Sequence, residues 1–225
     1  MEFTKLTKFI ANLQKRQAQV VDGNKAFKKL SKQQQRITIA KDALQQLNAK
    51  KYTASPGNWC NTELPKAVHN ELRELEAWDN RPSSAEDMKN ALYSVHQHNS
   101  NVLQPLLQEP GVTCEVCALG SLFASAVRKA DNCSVNPLRY AAEYGDRAHE
   151  ADSDDVNDVL GSYFSEKQQR LMELAFEEGS GSNKPVSVQD FAAAEMYNGK
   201  NPTQRLRAIL KNIIDNDGVF KLNKK

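Results

Sequence analysis

Thr113-Cys-Glu-Val-Cys-Ala-Leu-Gly-Ser-Leu-Phe-Ala-Ser-Ala-Val127 joins a Cys-x-x-Cys pair to the clearest helical apolar pattern in the chain. Leu119, Leu122, Phe123, Ala126, Val127 and Ala130 recur at i, i+3, i+4, i+7, i+8 and i+11, one broad apolar stripe. At about 100° per residue, Cys114, Cys117, Ser121, Ala124 and Ser125 fall on the other side. Those residues are all small, and small side chains let a neighbouring helix approach to roughly 8–10 Å. A helix that is non-polar on both faces belongs inside a protein. The pattern therefore predicts a buried central helix over about 114–130, turning polar only at Arg128, Lys129 and Asp131.

Further helices are expected on either side. Phe3, Leu6, Phe9, Ile10 and Leu13 make a short amphipathic helix, with Asp22-Gly23-Asn24 read as a break. Ser31 caps a second helix with Ile37, Ala40, Leu44 and Leu47 on one side. Tyr52–Asn61 reads as a loop, followed by a helix carrying Leu64, Val68, Leu72 and Leu75. Ser84 opens a helix through Met88, Leu92 and Val95, and 99–112 reads as irregular, with Pro105, Pro110 and Gly111. Asn136-Pro137 starts a short helix through Tyr144, and 145–158 reads as an acidic loop. Ser165-Glu-Lys-Gln168 has capping-box form and opens a helix through Phe176. Glu178–Pro185 is linker-like, and 186–198 holds one more helical stretch. Asn201 caps the last helix, Pro202 takes its first position, and Leu206, Ile209, Leu210, Ile213 and Ile214 form its buried stripe. Asp217-Gly218 ends it, and Phe220 folds back onto the core. No segment reads as a period-2 strand.

These elements predict an all-α protein: an irregular multi-helix domain around the buried central helix, with an N-terminal basic helical arm. Residues 1–51 are that arm, 52–220 the helical core with 62–112 as an insertion, and 221–225 a basic tail. The bulk numbers agree. The 225 residues are 40% hydrophobic and 26% charged, which is not a disordered composition. Aromatics make up only 7%, so the core rests on aliphatic residues. No apolar run approaches the roughly 18 residues of a membrane span. Lys5, Lys8, Lys15 and Arg16 interrupt any signal-peptide core, so a cytoplasmic protein with reduced cysteines is expected.

Net charge is +2, but it is unevenly spread: +9 over residues 1–51, −12 over 52–199 and +5 over 200–225. Such asymmetry marks an interaction surface, or basic ends folded onto an acidic middle. Lys5, Lys8, Lys15, Arg16, Lys28 and Lys29 are the candidate partner-binding residues of the arm. Phosphate contacts by that arm would bind nucleic acid, although it lacks interleaved aromatics for stacking. A solvated helical face is the simpler reading.

Chemistry is sparse. Cys114 and Cys117 are half of a zinc signature, and a second close pair is missing. A thiol in the first turn of a helix feels the positive end of its dipole, which lowers its pKa. Cys114 and Cys117 are therefore candidate nucleophiles, needing His69, His96, His98 or His149 as base, and Cys60 beside Trp59 is another candidate. Packing remains the preferred role for the cysteines, and no cofactor is expected unless it is zinc. Asp152, Asp154, Asp155 and Asp158 do not complete an EF-hand loop, since Val156, Asn157 and Tyr163 stand at ligand and glycine positions. There is no phosphate-binding glycine loop, no dinucleotide fingerprint and no serine nucleophile elbow.

Trp59, Cys117-Ala-Leu-Gly-Ser-Leu122, and Arg205-Leu206-x-x-Ile209 with Asn212-Ile213-Ile214 resemble a domain family of unknown function found in tailed phages and bacteria. The resemblance covers 36–60, 113–130 and 160–220. Cys60-Asn61 departs from the small residues expected after the tryptophan, and 62–112 stands as an extra insertion. The resemblance implies a phage or mobile-element origin and a helical fold, and it implies no reaction. The expected function is that of an accessory protein acting by binding. Its partner would be a host protein, as in anti-defence, or a small signalling ligand that it sequesters. A cysteine- or zinc-based enzyme and a nucleic-acid binder are the alternatives.

Overall fold

The computed structural model of the chain describes residues 4–76, 103–130, 149–151, 153–177 and 184–222. The helices expected at 84–95 and 137–144, Cys133, His96, His98, Asp152 and most of the 178–185 linker lie outside the described residues.

Helix ends with sequence-encoded caps form where expected. Helix α1 spans Thr4–Lys28 and α2 spans Lys32–Asn48. Ser31 accepts from the Gln34 N–H while the Gln34 side chain accepts from the Ser31 N–H, a reciprocal capping box. Strands β1 (Tyr52–Ala54) and β2 (Cys60–Glu63) follow, then α3 (Lys66–Glu76) and α4 (Leu103–Gln108). Strand β3 (Thr113–Val116) leads into α5 (Ala118–Ala130), and β4 (His149–Ala151) precedes α6 (Ser153–Leu160). Helices α7 (Glu166–Glu177), α8 (Val188–Glu195) and α9 (Pro202–Asp215) complete the described chain. Asn201 and Gln204 form a second capping box at α9, and Pro202 occupies its first turn.

Helix α5 is the centre. Every residue from Ala118 to Val127 is buried, on the large-residue and small-residue sides alike. It packs against α1, α2, α4, α6 and α7 and lies on β2 and β3. Helix α9 lies along α2 and α7, burying Leu206, Ile209, Leu210 and Ile213. Phe220 tucks in behind it at 1% exposure. The basic segment 1–51 shares this core: Leu6, Phe9, Ile10, Leu13, Phe27, Ile39 and Ala43 belong to the same buried cluster. Glu71 of α3 clamps the start of α1 by accepting from the Lys5 and Leu6 N–H groups at 3.2 and 2.7 Å. A carboxylate at a helix N-terminus also suits the dipole.

The fold is mostly helical but not all-α, because a four-stranded sheet in the order β1-β3-β2-β4 runs through it. Strand β1 pairs parallel with β3, and β2 pairs antiparallel with both β3 and β4. Residues 114–116, the start of the expected central helix, thus belong to a strand, with Tyr52 opposite Cys114 and Cys60 opposite Val116. Cys114 and Val116 face inward while Thr113 and Glu115 are half-exposed. Tyr52–Asn61, expected as loop, supplies β1 and the start of β2. The acidic segment at 145–158 holds β4 and most of α6, and α4 occupies part of the stretch read as irregular. Pro105 is tolerated there because it sits in the first turn of α4, where its missing N–H costs no helical bond. Nor does Gly23 break α1. Asn24 is buried and accepts from the Gln104 side chain at 2.9 Å, so tertiary contact outweighs the glycine's cost of about 1 kcal/mol.

Among the described residues no helix is long and apolar enough to cross a membrane.

Candidate functional site

The Cys-x-x-Cys pair is split between two elements. Cys114 sits inside β3, and Cys117 is the residue just before α5, so its thiol occupies the N-cap position. The Cys117 N–H donates to the Asn58 carbonyl at 2.6 Å, and its Sγ accepts from the Gly120 N–H at 3.3 Å. Sulfur here does what Ser or Asp usually does for a helix start. Cys60, Cys114 and Cys117 are all free and buried. The Cys114 thiol faces Thr62 Oγ1 at 3.9 Å.

Burial reverses the expected acidity. The Cys117 thiol is pushed up to about 12, because removal from water outweighs the Gly120 N–H, and Glu177 and Glu173 add negative charge nearby. Cys60 is likewise pushed up, first by hydrogen bonding with Cys114 and then by burial. Burial also raises Tyr52, whose hydroxyl lies 3.4 Å from Ser125 Oγ. The cluster therefore holds three buried thiols, and at Cys60 and Cys117 burial favours the protonated form. Among the described residues no three His, Cys, Asp or Glu side chains are grouped to hold a metal ion. His69, the one candidate base whose side chain is described, is half-buried on α3.

Gly120 explains why the junction is sealed. A Cβ placed there would lie 1.2 Å from the Trp59 carbonyl oxygen and 2.4 Å from its carbon. The Trp59–Cys60 backbone thus rides directly on the first turn of α5, and only glycine permits that approach. Trp59 and Cys117–Ser121, the residues that carry the sequence resemblance, meet at this contact. Arg205, from the same set, is buried with its guanidinium 5.7 Å from the centre of the Phe176 ring.

The candidate partner-binding residues of the N-terminal segment divide. Lys5, Lys8, Lys15, Lys28 and Lys29 are exposed on the helix surface, whereas Arg16 pairs at 2.5 Å with Glu109, a carboxylate with a 4% exposed side chain. Arg128 and Lys129 each lie 3.0 Å from the buried Asp42, locking the end of α5 to α2. Lys51, close to Arg128 and Arg16, has its pKa lowered by partial burial and by their like charge.

Immediately outside the junction lies an open groove of about 790 Å³, within the size range of ligand pockets. Its apolar walls come from Trp59, from Leu119 of α5 and from Phe164 in the α6–α7 turn. Asp158 of α6 and Glu166 and Glu173 of α7 line it with carboxylates. Glu166, Arg170 and Glu173 recur at i, i+4 and i+7, so they share one helix face. Arg170 is already engaged: its guanidinium donates to Asp190 at 3.1 and 3.2 Å and to the Lys184 carbonyl at 3.1 Å. That pairing holds the Asp190 carboxyl below its ordinary range. Gln169 also lines the groove and is 6% exposed. Its amide N–H donates to the Phe164 carbonyl at 2.9 Å, while its Oε1 is buried without a hydrogen-bond partner. An unsatisfied buried acceptor costs about 1–3 kcal/mol.

Compared with known proteins, the chain matches no family model, no curated protein and no solved structure.

Asp158 is the one groove carboxylate that the sequence brought forward, within the acidic run weighed for calcium; Asp154 and Asp155 of that run stand in the first turn of α6. Glu166, Gln169 and Glu173 were not singled out, although their helical spacing is visible. The groove itself depends on Trp59 and Leu119, which folding brings to α7 from far along the chain.

Proposed function

We propose that the chain acts by binding, as a phage-type accessory protein that modulates a host protein or sequesters a small ligand, and that the Trp59 groove is the surface it uses. One observation carries this reading: the groove sets three carboxylates around an aromatic wall. The pattern suits a cationic group with an apolar body, because carboxylates and a π-face both favour it. The burial of the three thiols and the raised pKa of Cys117 support binding over cysteine chemistry, since the thiolate is the nucleophile.

Native mass spectrometry of the protein isolated from its host, beside Asp158→Lys/Glu166→Lys, tests the proposal. Wild type should carry a small-molecule adduct or protein partner that the doubly substituted protein loses. The same bound species on both would remove the groove from the function.

A further inference from the structure

Three exposed apolar side chains lie beside the groove. Val186, Val188 and Phe191 are 80%, 87% and 58% exposed, values uncommon for side chains of that size. Val188 and Phe191 stand at i and i+3 on α8, so they share a face. The segment is anchored at the groove's edge: Arg170, a groove-lining residue, bonds Asp190 and the Lys184 carbonyl, and the Val186 N–H donates to Asp190 at 3.2 Å. Arg170 thus ties the acidic groove to the segment that carries this apolar shelf.

We infer that groove and shelf together dock a segment of a partner protein that bears lysine or arginine beside apolar residues. This rests on the groove being the binding surface and names its occupant. The carboxylates of Asp158, Glu166 and Glu173 select a cation. Trp59 would flank the alkyl stem, and Lys and Arg stems cover apolar surface readily. A small cation would need only the groove, whereas a continuous segment also covers the shelf, as exposed apolar patches at protein interfaces are covered. Nucleic acid and anionic lipid are disfavoured because their phosphates would meet carboxylates. A second copy of this chain offers the lysines of α1, but the apolar residues Leu6, Phe9, Ile10 and Leu13 beside them are buried in its own core.

Fluorescence anisotropy with three labelled synthetic peptides on the full chain decides the matter. One carries Lys and Leu at helical spacing, one replaces Lys by Glu, and one replaces Leu by Ser. Only the Lys–Leu peptide should bind tightly, and added salt should weaken it. Glu166→Lys and Phe191→Ser should each weaken it on the order of tenfold, the scale of one close charge pair or one apolar anchor. Both sites are exposed, and circular dichroism confirms that each protein is folded. If the Lys–Ser peptide binds equally well and Phe191→Ser has no effect, the shelf is excluded while the groove stands as a cation site. If no cationic peptide binds, and neither does benzylammonium, groove and inference both fall. If sedimentation shows a dimer that Phe191→Ser dissolves, a second copy covers the shelf and the partner-segment inference is overturned.

Discussion

The two sides of the first turn of α5 differ in one physical respect. On one side the Trp59–Cys60 backbone presses onto Cys117 and Gly120, so closely that no Cβ fits. On the other, Leu119 and the Trp59 side chain form a wall of an open groove with α6 and α7. The same short run of sequence therefore carries a closed joint and part of an open surface. A motif rich in cysteine and glycine draws attention to the closed side, where the thiols are buried. The groove carboxylates gather on the open side, where Glu166 and Glu173 share one face of α7.

Substituting Gly120→Ala is the most severe way to break the closed side. The added methyl must displace the Trp59 carbonyl from 1.2 Å, in a packed core and against backbone. We expect ~4 kcal/mol or more of destabilisation, or failure to fold, measured by urea denaturation. Tolerance of alanine would mean that the strand does not ride on the helix.

A smaller effect separates packing from catalysis at Cys117. Cys117→Ala removes a buried sulfur and the acceptor for the Gly120 N–H, and should cost about 1–2 kcal/mol. Cys117→Ser keeps an acceptor there and should cost less than alanine. Binding by the folded variants should be unchanged, and loss of function without loss of stability would restore the nucleophile reading.

The pH dependence follows from the same burial. The folded-state thiol of Cys117 titrates at about 12, above its ordinary 9.0, so folding favours its protonated form. Its contribution to stability is fully present below about pH 9 and is lost as pH rises toward 12. Denaturation midpoints should fall across that window in wild type and fall less in Cys117→Ala.

At the opposite extreme, Glu166→Lys on the open side should change stability by no more than about 0.5 kcal/mol, as for exposed surface substitutions. A large loss would show that the groove carboxylates hold the fold together. Between these values, Asn201→Ala should cost about 1 kcal/mol by removing the α9 cap.

How much of this could be read from the chain depends on the range of the interactions. The caps at Ser31, Ser165 and Asn201, the α9 stripe and the burial of Phe220 were legible, because each is set within a few residues. Two-sided burial of α5 was legible too, since small residues opposite a large stripe leave no polar face. Strand β3 was not. Cys114 and Val116 alternate with Thr113 and Glu115, but four residues cannot outweigh the helical stripe that follows, and their partners at 52–54 and 60–63 are distant in sequence. Gly23 misled because Asn24 finds Gln104 eighty residues away. The dipole argument for an acidic thiol failed because helix position is visible in sequence whereas desolvation is not. The groove escaped notice for a related reason: the helical spacing of Glu166 and Glu173 is local, but the tryptophan wall facing them is a product of the fold.

Thiol alkylation of the native protein at pH 8, resolved residue by residue by peptide mass spectrometry, reads the contrast between closed joint and open groove most directly. Cys60, Cys114 and Cys117 should stay unmodified until denaturant is added, then react together. Rapid labelling of any one of the three in the folded protein would show an accessible thiolate, and the closed-joint reading would be wrong.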